Sequence, residues 1–240
     1  MIRAASLLLV FCLGAAGGLW AQAFVLPYLA THEPFEGWGF VEEWNRRITV
    51  VRPIEQIIVR EGEGMERVLE QAQRTAVGVR STVGVAILEG SGIIATSDGL
   101  VVTLATLVPP GSAQTVYVEG GIESAQVLKR DLQKNLALLK LDRSGLRTAE
   151  FSREEEVRLG TTLFLAGKIM EEDEVFSVAN AGVVKSLSKE ALRTSMMDTT
   201  LLNGSPLFTI EGRIAGMAIV SPDGTVRAIS ASVLRSFLGL

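Results

Sequence analysis

From Ala4 to Ala30 the chain reads AASLLLVFCLGAAGGLWAQAFVLPYLA without a charge. That is long enough to cross a bilayer core as a helix even if Pro27 ends it early. Arg3 and the amino terminus precede the run, so the positive-inside bias places the start in the cytoplasm and everything after His32 outside. Two readings stand. In the first, residues 1–31 are a retained transmembrane anchor, with Trp20 and Tyr28 at the interfaces and Phe24-Val25-Leu26 prolonging the apolar run. In the second they are a secretory signal, because Ala21-Gln22-Ala23 has the small-x-small form accepted for cleavage.

Residues 32–60 carry Phe35, Trp38, Phe40 and Trp44 among acidic positions, then Ile48-Thr49-Val50-Val51 and Ile57-Ile58-Val59. Such aromatics form an oligomerisation or partner-binding collar, or rest on lipid headgroups or on the domain itself. From Glu61 to Thr75 the period becomes helical: Met65, Val68, Leu69 and Ala72 share a face, and Glu70 is placed to pair with Arg74.

From Ala76 onward short β-rich pieces alternate with glycine-marked turns. The pieces are Val77–Leu88, Ser91–Ala95, Val101–Val108, Thr115–Val118, Ser124–Leu128 and Leu136–Leu141, with turns explicit at Ser97-Asp98-Gly99 and Gly120-Gly121. A charged stretch, Arg147 to Arg158, reads as a surface connection between two halves. The pattern resumes in Thr161–Ala166, Glu174–Val184, Leu192–Met196, Pro206–Ile210, Ile214–Val220 and Thr225–Ile229. Ser230 is placed to cap a last helix, Ala231 to Leu238, whose Val233, Leu234 and Phe237 pack back on the body. The expectation is all-β: one domain, 61–240, with its helix at 61–75, a first small barrel at 76–146, a connector at 147–158, and a second barrel with closing helix at 159–240. Alternating βαβ units are excluded, since no helices separate the strands.

Charge narrows the function. With 23 basic against 27 acidic residues, net charge −4, and no Lys/Arg cluster, a nucleic-acid surface is not expected. A single Cys12 and a single His32 exclude an intrachain disulfide, a structural zinc set and any site needing two imidazoles from one chain. Cys12, within the apolar run, reads as a small hydrophobe. No cofactor or metal is expected.

Three blocks carry a family likeness. GSGIIATSDGLVVTLATLV (Gly90 to Val108), KNLALLKLD (Lys134 to Asp142) and NGSPLFTIEGRIAGMAIV (Asn203 to Val220) resemble, in order and spacing, the bacterial HtrA/Deg group of trypsin-like serine proteases. The resemblance spans about Ala76 to Leu240 and implies a trypsin-like double β-barrel with a short C-terminal helix. Some members of the group are held by one N-terminal membrane helix, and many assemble as trimers, so a homo-oligomer is compatible with the likeness. No PDZ-type domain fits after the closing helix.

Carried over position by position, the resemblance puts Thr106 where the family has its base His, Asn135 where it has Asp, and Asn203 where it has the nucleophilic Ser. All three are replaced. A serine hydroxyl needs a neighbouring base, usually an imidazole, to act as a nucleophile. Thr106 accepts no proton at neutral pH, the Asn135 amide carries no charge, and His32 lies outside the barrels.

Two readings remain for Ser205, two places beyond Asn203: a displaced nucleophile served by Lys134 or Lys185, or one residue of a tight turn, Asn203-Gly204-Ser205-Pro206, whose side chains cap the backbone. Asp198 reads as a hydrogen-bonding loop residue. The family's Gly-Asn-Ser-Gly-Gly oxyanion loop is replaced by Leu201-Leu202-Asn203-Gly204-Ser205, which argues against an inherited oxyanion hole. Leu104, Leu201, Leu202 and Gly204 are candidates for a peptide cleft between the barrels; the leucines either make that cleft sticky or fill it.

Three functions follow as expectations. The first is a membrane-anchored, non-catalytic trypsin-like domain that binds a protein or peptide, or scaffolds an envelope assembly, with residues 4–30 in lipid and the domain on the periplasmic or extracellular side. The second is a divergent serine endopeptidase acting on envelope proteins. The third makes the barrels a rigid spacer or oligomer partner behind the anchor and collar.

Overall fold

The computed structural model describes residues 61–240 apart from 172 and 173, together with five isolated positions between 14 and 21. Apart from those five positions, the expected anchor at residues 4–30, the collar at 32–60 and His32 lie outside the described residues. Among the described residues no helix is long and apolar enough to cross a membrane.

Helix α1 spans Glu61–Thr75. Val68 and Ala72 are buried, Leu69 is partly so, and the Glu70–Arg74 pair forms at 3.0 Å on the exposed face. Such a pair contributes only about 0.2–0.5 kcal/mol, so burial of the apolar face, not the ion pair, holds α1 down.

Twelve strands follow: β1 (Ala76–Val83), β2 (Ala86–Ile94), β3 (Leu100–Leu104), β4 (Ala113–Val118), β5 (Gly121–Asp131), β6 (Leu136–Leu141), β7 (Thr162–Glu171), β8 (Glu174–Leu187), β9 (Ala191–Met197), β10 (Pro206–Phe208), β11 (Ile214–Val220) and β12 (Thr225–Ser230). They close into two six-stranded barrels, β1-β2-β3-β6-β5-β4 and β10-β11-β12-β9-β8-β7. Closure leaves the barrel walls without free edges. The first core, around Val79, Ile93, Leu104, Leu136 and Leu139, runs on into Phe208, Ile214, Leu234 and Phe237; the second is built on Leu163, Leu165, Leu202, Leu207 and Val226.

Three elements differ from the sequence pattern for identifiable reasons. The apolar run Val77–Leu88 is two strands, because the chain reverses at Gly84, whose φ of +57° is open to glycine. Strand β3 stops at Leu104, since Ala105–Leu107 coils into a 3-10 turn. Strands β7 and β8 run longer than expected and pair from Thr162↔Val183 out to Glu171↔Glu174.

The connector does more than cross the surface. Phe151 bridges Ile214 in parallel, the Ser152 N–H donates to the Ile214 carbonyl at 2.9 Å, and the Ile214 N–H donates to the Glu150 carbonyl at 2.7 Å. Arg213 pairs with Glu156, holding that carboxyl below the usual range. The last helix, α2 (Ala231–Leu238), buries Leu234 and Phe237, and Lys129 of β5 stacks over the Phe237 ring at 4.6 Å. Ser230 sits at the N-cap position, but its hydroxyl donates to the Lys189 carbonyl at 2.6 Å rather than accepting from the helix.

Candidate functional site

Of the three positions that the resemblance matches to a catalytic triad, Thr106 and Asn135 are hydrogen-bonded to each other, and Gly90 lies between their turn and Asn203. Asn135, in the β5–β6 turn, has φ +53°, the left-handed region that asparagine tolerates better than most residues. From there its carbonyl accepts the Ala105 N–H at 3.1 Å and its Oδ1 accepts the Thr106 N–H at 3.0 Å. Arg130 adds a bond from Nη2 to the Ala105 carbonyl at 3.1 Å. The 3-10 turn carrying Thr106 is thus pinned from two sides, with the Thr106 side chain exposed. Gly90 brings this turn to Asn203: a Cβ there would meet Leu107 Cδ1 at 2.5 Å and the Asn203 carbonyl at 2.6 Å. Replacing Asn135 by Ala removes the Thr106 partner and strains the turn. We expect a loss of about 1–2 kcal/mol in urea unfolding, and Asn135→Gly, which relieves only the strain, should recover part of it.

The loop from Asp198 to Pro206 is tied into the body at each step. The Asp198 carboxylate accepts Asn180 Nδ2 at 2.8 Å and the Thr199 N–H at 2.9 Å. Thr200–Leu202 then forms a 3-10 turn capped by the Thr199 hydroxyl. Every N–H from 201 to 205 is donated internally: Leu201 to Thr199 Oγ1 (3.4 Å), Leu202 to the Thr199 carbonyl (3.1 Å), Asn203 to Thr200 (3.1 Å), Gly204 to Ala218 (2.9 Å) and Ser205 to Leu202 (3.1 Å). An oxyanion hole needs at least two such groups unbonded and converging on one point. This loop presents none.

The side chains point the same way. Asn203 Oδ1 accepts the Val220 N–H at 2.8 Å, turning the amide toward β11. Ser205 is fully buried and its Oγ has no hydrogen-bond partner. That hydroxyl lies against Gly167, where a Cβ would collide with it. Lys134 and Lys185, the bases considered for it, are exposed, and neither reaches the hydroxyl. Of the cleft candidates, Leu104 and Leu202 are buried, one in each core, and Gly204 is packed against Ser91; only Leu201, 38% exposed, offers apolar surface. The buried leucines fill the body rather than line a groove.

Ser91 is a residue that sequence reasoning passed over. Its N–H donates to the Asn203 carbonyl (2.7 Å), its hydroxyl accepts the Lys168 N–H (2.9 Å) and donates to the Lys168 carbonyl (3.1 Å), and its carbonyl accepts Thr103 Oγ1 (2.7 Å). One buried serine therefore couples β2 to both β7 and the 200–205 loop. The only signal for it was its place between two glycines. Among the described residues no group of His, Cys, Asp and Glu is arranged to hold a metal.

A family model described as trypsin-like peptidase domain matches residues 90–217, more than half of the 240-residue chain. The chain belongs to the trypsin-like peptidase family. Its likeness is to the HtrA/Deg group: it is 29% identical over 148 residues to a probable periplasmic serine endoprotease DegP-like of Rhizobium meliloti, matching 57% of this chain and 29% of that protein. It is 25% identical over 169 residues to serine protease HTRA4 of Homo sapiens, matching 64% of this chain and 35% of the other. The chain thus spans about a third of the length of the curated relatives it matches. The serine endoprotease from Yersinia pestis shares the fold, with a TM-score of 0.66 at 18% identity over 73% of this chain and 65% of that one. Within this trypsin-like frame, Thr106, Asn135, Asn203 and the internally bonded 201–205 loop lie where the resemblance places the family's chemistry.

Proposed function

We propose that this trypsin-like domain is non-catalytic and binds a protein or peptide at a cell-envelope membrane. The observation that carries the reading is the internal bonding of the N–H groups at 201 to 205, in a region where Thr106, Asn135 and Asn203 supply neither base nor nucleophile. The apolar run at 4–30 supports membrane attachment, and the relatives named periplasmic support a periplasmic side for the barrels. A scaffold role in an envelope assembly, including self-association, is the same reading with a larger partner.

The rival reading, a divergent endopeptidase, is favoured by one fact: the relatives are named serine endoproteases. Incubation of the full chain in detergent with a labelled unfolded protein and with a fluorophosphonate probe separates the two. We expect neither cleavage nor labelling. Cleavage and labelling that vanish in Ser205→Ala would establish the peptidase instead. That variant is a clean control, since removing an unpartnered buried hydroxyl leaves stability unchanged or raises it by about 1 kcal/mol.

A further inference from the structure

Away from the triad-equivalent positions, a half-open cavity of about 100 Å³ lies between α1 and the β7–β8 hairpin. Its walls are apolar, from Leu69, Ala72, Ala166 and Val178, and Lys168 and Ser177 stand at its rim. The same two residues, with Gln73, line a neighbouring hollow of about 430 Å³ that reaches Tyr117 and Glu119 on the first barrel. Lys168 and Ser177 are direct cross-strand partners, and Lys168 Nζ donates to Ser177 Oγ at 2.8 Å.

We propose that this junction binds the free C-terminus of a peptide: the carboxylate on the Lys168 ammonium and Ser177 hydroxyl, the last side chain in the cavity beside α1, and the preceding residues in the larger hollow. It rests on the peptide-binding reading above and gives that reading an address outside the triad region.

The Lys168 ammonium, at the junction of the two cavities, suits an anion. Lys168 is half-buried, and burial pushes its ammonium below the usual lysine range. Glu119 attracts it from a distance, but among the described residues Lys168 forms no ion pair. A carboxylate bonded to Nζ offsets that desolvation, and charge-assisted hydrogen bonds are the stronger kind. Size selects the rest of the ligand. A cavity of about 150 Å³ holds benzene, so this smaller one accommodates a terminal Ala, Val or Leu. The adjoining hollow, lined by Gln73, Glu119 and Ser177 as well as Tyr117, Ile122 and Val175, offers hydrogen-bonding groups to a peptide backbone, which a fatty acid lacks.

The test uses the full chain in detergent and fluorescein-labelled hexapeptides ending in Ala, Val, Leu or Phe, each as free acid and as C-terminal amide, followed by anisotropy. The free acids ending in Val or Leu should bind at least tenfold more tightly than their amides. Lys168→Met should abolish that preference, and Ala179→Leu, which enlarges a residue lining the cavity, should weaken the Leu peptide more than the Ala peptide. Equal binding of acid and amide, absence of binding by every free acid, a preference that survives Lys168→Met, or displacement by octanoate with no peptide binding would each overturn the proposal. Proteolysis is scored separately. Cleavage would remove the non-catalytic reading while leaving the acid preference intact, and loss of the acid preference in an uncut assay would remove this site alone.

Discussion

Restoring the triad by combining Thr106→His, Asn135→Asp and Asn203→Ser should yield a folded protein that still neither cleaves an unfolded substrate nor reacts with a fluorophosphonate. Side-chain identity is only half of what the chemistry requires. A developing oxyanion must meet preorganised N–H donors, and loss of one such donor alone costs about 10²–10³ in rate. Here the N–H groups of Leu201 and Asn203 are bonded to the Thr199 hydroxyl and the Thr200 carbonyl. To free them, the 3-10 turn must unwind and pull Leu202, fully buried, from the second core; extracting a buried leucine costs about 2–5 kcal/mol by the scale of leucine-to-alanine changes. The Asn203→Ser change also removes the acceptor for the Val220 N–H, so the new hydroxyl has that backbone donor as a competing partner. Stoichiometric labelling of the triple variant would show that the loop reorganises easily, and the non-catalytic reading would then rest on three side chains alone.

The architecture was legible because it is written in local chemistry. Helices α1 and α2 were readable from their apolar periodicity, and β6 and β11 from short, mainly apolar runs bounded by turn residues. The missed hairpin at Gly84 sits between stretches that are β-rich on both sides, so a single glycine had to carry the reversal. Strand β7 was cut short at Ala166 because Gly167 and Lys168 interrupt its apolar run, yet both continue the ladder opposite Val178 and Ser177. The identities of Thr106, Asn135 and Asn203, in the three motifs that carry the resemblance, could be read directly. The bonded state of the 201–205 N–H groups could not, because it depends on where Thr199, Thr200 and Ala218 carry their oxygen atoms. Nor could the Lys168–Ser177 junction: those residues are nine apart along the chain and meet only through strand register. Gly204 was read as lining a cleft, whereas its environment is set by Ser91 on a different barrel.

That environment makes Gly204→Ala the most damaging single methyl we can place. Gly204 has φ +83°, where an L side chain adds about 1 kcal/mol of strain. Its Cβ would collide with the Ser91 carbonyl oxygen and come within 3.1 Å of both the Ser91 carbonyl carbon and Thr103 Oγ1. These are backbone and buried β-strand atoms, with no flexible end to swing aside. Relief requires β2 to move from the loop, which breaks the 2.7 Å bond from the Ser91 N–H to the Asn203 carbonyl and the 2.7 Å bond from Thr103 to the Ser91 carbonyl. Overpacking adds about 1–3 kcal/mol and each buried group left unpaired about 1–3 kcal/mol. With the strain these sum to at least about 4 kcal/mol, a large share of the 5–15 kcal/mol that ordinarily holds a domain together. Gly111→Ala is the internal reference: φ is +76° there, yet nothing lies within 4 Å of the added Cβ, so it carries strain alone and should lose about 1 kcal/mol. Urea unfolding of both variants beside the parent decides the matter. A Gly204→Ala midpoint well below that of Gly111→Ala, with the first barrel losing structure before the second, places the coupling of the barrels at this contact. Coincident midpoints would mean that the junction yields and that Ser91 is not what holds the two barrels together.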